Sequence, residues 1–86
     1  MKHAGAQALE RLDSLLAQIR KQEGLKERKP GVFYRSASAF LHFHEDPAGL
    51  FADVRLSADW ERLPVNTRGQ QPDLLSKIKA ALSRRR

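Results

Sequence analysis

The chain has 86 residues, and 41% hydrophobic against 30% charged content fits one folded domain over residues 1–86, with no room for two separate cores. The absence of Cys excludes disulfides, thiolate metal ligands and thiol nucleophiles together. No apolar run reaches the roughly 18–20 residues of a membrane helix, and the net charge of +6 raises nucleic acid as a partner class.

The opening "MKHAGAQALERLDSLL" meets charged residues early and lacks the apolar core of a signal peptide, so a cytoplasmic protein is expected. Leu9, Leu12, Leu16 and Ile19 recur at helical spacing, with Ala8 and Leu15 widening the stripe, which predicts an amphipathic helix over about 5–23. Gly24 and Leu25 read as its stop. "KERKPG" reads as a polar linker punctuated by Pro30 and Gly31.

From Val32 the period changes to two. "VFYRS" and "AFLHFHE" are expected to pair across Ala37 and Ser38, and "AFLHFHE" and "LFADVRL" across the turn-forming "DPAG". "WERLPVN" is a candidate fourth strand, which Pro64 would confine to an edge or a bulge. Pro72 suits the first turn of a final helix over about 70–84, whose stripe is Leu74, Leu75, Ile78, Ala81 and Leu82. The closing arginines, Arg84 to Arg86, stand where a helix C-terminus favours cations. The expected architecture is α+β in the order α-β-β-β-(β)-α: an antiparallel meander over about 32–66 with both helices on one face.

Pairing Glu45 with Leu50 places Leu41, Phe43, Leu50, Ala52, Val54 and Leu56 on a core face. Carrying the register back through Ser36 opposite Ala39 adds Val32 and Tyr34 to it. The other face then carries Phe33, Arg35, Phe40, His42, His44, Phe51, Asp53 and Arg55. Three Phe on a sheet face that the helices leave uncovered call for a partner.

The favoured use of that face is non-enzymatic binding by self-association into a homodimer. A second reading stacks single-stranded nucleic acid on Phe33, Phe40 and Phe51, with Arg35 and Arg55 as cations, although Asp53 would repel phosphate. A third places a small-ligand, metal or acid–base site at His42, His44 and Asp53, since His-x-His on a strand sends both imidazoles to one face. His3, the one other histidine, is distant in sequence, and a plain His–Asp cross-strand pair explains the same residues without a ligand. Trp60 is expected as an anchor between sheet and helix. No cofactor is called for, and no nucleophile triad or phosphate-cradling glycine loop is visible.

The run "KERKPGVFYRSASAFLHFHEDPAGLFADVRL", residues 26–56, resembles a type of small bacterial protein of unknown function in which a helix precedes "PGVFY", "AFLHFHED" and "ADVRL" segments. That resemblance implies a free-standing bacterial domain and carries no activity and no catalytic residue with it.

Overall fold

The computed structural model describes residues 2–84 and orders them as β1 (Lys2–His3), α1 (Ala6–Arg11), α2 (Asp13–Arg20), β2 (Leu25–Lys29), β3 (Val32–Arg35), β4 (Ser38–Asp46), β5 (Gly49–Val54), β6 (Glu61–Pro64) and α3 (Gln70–Ser83). All strand pairs are antiparallel, and the sheet runs β2-β3-β4-β5-β6, with β1 pairing separately with β4. The protein is therefore an α+β fold with helices at the N- and C-terminal ends of a sheet. Of the closing arginines, Arg85 and Arg86 lie outside the described residues.

One hydrophobic cluster joins the layers. Leu12, Leu15, Leu16 and Ile19 from the first helices and Leu74, Ile78 and Ala81 from α3 meet Leu41, Phe43, Leu50, Ala52 and Val54 of the sheet. The expected long first helix is interrupted at Leu12, whose N–H donates to Leu9 O at 3.0 Å in a tightened turn. Asp13 then opens α2 at the helix end that favours a negative charge. Leu12 stays fully buried, so the apolar stripe survives the break.

The β4–β5 hairpin has the register expected from alternation: Leu41 opposes Val54, His42 opposes Asp53, Phe43 opposes Ala52 and His44 opposes Phe51. The candidate fourth strand forms as β6, at the sheet edge where a proline is tolerated. Asn66, just beyond it, accepts from Leu50 N–H at 2.7 Å and donates to Leu50 O at 3.2 Å, pinning the entry to α3 against β5.

Three expectations are corrected. The segment expected as a polar linker is largely strand β2, in which Glu27 turns toward α2 and binds Arg20 through two contacts of 2.6 and 3.1 Å. A charged strand of this kind suits an edge, where it discourages pairing with other chains.

The second correction concerns β3. A bulge falls between Phe33, which pairs with Leu41, and Tyr34, which pairs with Ala39, and it leaves Phe40 as the extra residue. One inserted residue reverses the faces of the rest of the strand. Phe33 is 1% exposed and Phe40 3% exposed, both in the core, while Val32 and Tyr34 move to the outer face. Arg35 likewise belongs to the helix side, where its guanidinium donates to Ala81 O at 3.4 Å, near the C-terminus of α3. Arg55 is exposed just past β5.

The third correction is Trp60. It is 43% exposed and sits tilted against the His42 ring, 5.3 Å between centroids and 50° between planes, rather than wedging between sheet and helix.

Candidate metal centre

The edge of β4 that faces away from β5 is shared end to end by two strands. β3 covers its earlier part and β1 its later part. The joint is Phe43, whose N–H donates to Gly31 O at 3.2 Å and whose carbonyl accepts from Ala4 N–H at 3.0 Å. Gly5 N–H adds a 2.6 Å bond to Glu45 Oε2, so the two-residue strand β1 is tied down on both sides of its exit into α1.

This pairing sets His3 directly opposite His44, on the same face as His42. The ring centroids of His3 and His44 are 4.8 Å apart, those of His3 and His42 5.6 Å, and those of His42 and His44 6.1 Å. One nitrogen from each of the three rings lies within 4.8 Å of the others. Nitrogens around one tetrahedral ion stand roughly 3.4 Å apart, given metal–nitrogen bonds of about 2.1 Å. Small side-chain rotations would close the set.

Of the two strand histidines and Asp53 singled out from the sequence, His42 and His44 belong to this cluster. Asp53 sits beside it in another role. Its carboxylate is held by Arg62 in a two-pronged contact, Nε to Oδ1 at 2.7 Å and the second nitrogen to Oδ2 at 2.8 Å. The same Oδ2 is 3.1 Å from His44 Nε2, yet without hydrogen-bond geometry, and this buried nitrogen has no other partner. A ring nitrogen and a carboxylate in such a contact are reconciled by a proton or a cation. Arg62 fixes the carboxylate, so Asp53 presents a fixed negative charge to the His44 ring.

The electrostatics favour the neutral, ligating form of His42 and His44. His42 is held below the ordinary histidine range first by burial and then by the neighbouring charges of His3 and His44, with Asp53 opposing. Burial also leads for His44, opposed by Asp53 and by a hydrogen bond with the Lys2 backbone, and reinforced by His3 and Arg62. Asp53 is held below the usual carboxylate range chiefly by its hydrogen bonds to Arg62. Two neutral imidazoles, His42 and His44, beside a fixed carboxylate anion suit a divalent ion.

The other outer-face residues named from the sequence divide as follows. Phe51 lies half-buried on this face opposite His44, while Phe33, Phe40 and Arg35 have left it. Sequence reasoning set His3 aside and missed Arg62. The first depends on a two-residue long-range pairing that no local pattern announces. The second was within reach, because extending β5 into an antiparallel β6 puts Arg62 opposite Asp53.

Comparison of the chain with protein-family models, with curated proteins and with solved structures gives no match.

Proposed function

We propose that this protein binds a divalent transition-metal ion on its outer sheet face, with His3, His42 and His44 as ligands and Asp53 orienting His44. The observation that carries this reading is the convergence of three ring nitrogens from two paired strands within 4.8 Å. All-imidazole sites without thiolate suit Zn²⁺, Cu²⁺ or Ni²⁺ better than Ca²⁺ or Mg²⁺, which prefer oxygen ligands. Three histidines leave a tetrahedral ion one further position, open to water or to a ligand. The setting we propose is cytoplasmic.

Burial of Phe33 and Phe40 removes two of the three aromatics on which the homodimer and nucleic-acid readings of this face rested.

Calorimetric titration of the protein with Zn²⁺ tests the reading. One equivalent bound with micromolar or tighter affinity is expected, with the heat lost in His42→Ala. A flat isotherm for the unaltered protein, or one unchanged by His42→Ala, would leave the three rings as mere sheet decoration.

A further inference from the structure

The joint between β1 and β3 opens into a cleft of about 920 Å³, within the size range of small-molecule sites. Its walls are mostly apolar, with Ala4, Leu9, Pro30, Val32 and Phe43 among them, and His3 and His42 border it. Arg28 and Lys29 also line it. They come from a stretch of β2 where the register with β3 shifts between Glu27 and Lys29, leaving Arg28 as the extra residue. Instead of running along the sheet edge, its guanidinium lies 4.9 Å over the centre of the Tyr34 ring.

Among the described residues, three of the protein's cations are held in ion pairs. Arg20 binds Glu27, Arg62 binds Asp53 and Lys77 binds Asp73. Among the described residues, Arg28 and Lys29 form no ion pair with a carboxylate, although they stand side by side on one apolar cleft.

We propose that this cleft binds a small organic anion with an apolar body, its carboxylate or phosphate group on Arg28 and Lys29 and its body along Val32 toward His42. Tyr34 and Val32 are two residues apart on one strand, about 7 Å, and Val32 faces His42 across roughly another 5 Å. The ligand so defined is about 10 Å long, the length of a phenyl ring on a three-carbon chain. The cation pair and the apolar wall supply this binding without any metal ion, so the proposal stands apart from the histidine reading.

The test uses the full chain in the presence of a chelator and follows amide shifts by NMR. The probes are 4-phenylbutyrate, 3-phenylpropyl phosphate and the neutral 4-phenylbutanamide. Saturable shifts at Ala4, Val32, Tyr34 and His42 are expected with at least one anion, and which anion binds tighter identifies the head group. The amide should bind at least about tenfold more weakly, and the variant Arg28→Gln/Lys29→Gln should lose about tenfold in anion affinity. Both side chains are exposed, so the variant spectrum elsewhere should match the parent, and either single variant serves if it does not. Absence of saturable shifts with both anions would overturn the proposal. So would equal affinity for the amide, or anion binding unaltered by the substitutions. Because the metal is chelated throughout, failure here leaves the Zn²⁺ titration intact, and a failed Zn²⁺ titration leaves this outcome intact.

Discussion

His3 and His44 face each other across the β1–β4 pairing with ring centroids 4.8 Å apart, although forty residues of chain lie between them. The pairing itself is minimal, two residues long, and is held by Ala4 N–H to Phe43 O and Gly5 N–H to Glu45 Oε2. Whatever this face does chemically thus depends on a few backbone bonds that keep β1 in register.

Asp53 meets the cluster at His44, its Oδ2 3.1 Å from Nε2. Asp53→Asn keeps the shape of the side chain but removes the charge that orients the ring and neutralises an ion. Zn²⁺ affinity is expected to fall by roughly tenfold to a hundredfold, the usual cost of removing a carboxylate behind a ligating histidine. Competition with a chromophoric chelator measures it. An unchanged affinity would show that Asp53 serves Arg62 alone.

Phe33 and Phe40 are core residues rather than surface anchors. Phe33→Ala and Phe40→Ala should each cost about 3–5 kcal/mol of unfolding free energy, measured by urea denaturation. A surface aromatic would cost a small fraction of that. Phe51→Ala, half-buried on the opposite face, should fall clearly below both.

Arg20 and Glu27 fasten α2 to β2, and Glu27 also accepts from Gly31 N–H at 2.9 Å. The Arg20 hydrogen bond is the largest influence holding the Glu27 carboxyl below its usual range, with burial opposing and the Gly31 bond assisting. A carboxyl depressed in the folded state contributes stability that is fully present above its unfolded pKa of about 4.3. That contribution is lost as the pH falls through the lower folded value. Arg20 is largely exposed, so the contribution is about 1 kcal/mol at most. Glu27→Gln should therefore lower the urea midpoint at pH 6 to 7, and the gap from the parent should close toward pH 3. A gap that persisted there would assign the loss to packing instead of charge.

The parts of the fold legible in the sequence were those set by local pattern. The β4–β5 register followed from "DPAG" between two alternating runs, and α3 from its stripe and Pro72. Alternation fails where a strand gains a residue. In "SASAFLHFH" the bulge at Phe40 lets Phe40 and Leu41 both enter the core, and a reading with strict period two puts Phe33 and Arg35 on the wrong side. β2 was hidden because Leu25 is its lone apolar residue, and its fit depends on a glutamate paired to a helix.

Two of the three clustered histidines were visible for the same reason. His42 and His44 follow from alternation within one strand, and Asp53 from the hairpin. His3 joins them only through a contact between distant segments, and its arrival changes a commonplace His–Asp pair into three converging ring nitrogens.

The most direct test of that convergence is long-range ¹H–¹⁵N NMR of the three imidazole rings during addition of one equivalent of Zn²⁺. Metal binding as described predicts that His3, His42 and His44 each show one ring nitrogen moving to the metal-bound range together, complete at a single equivalent. Movement of one ring alone, or of none, would contradict a shared site on this face.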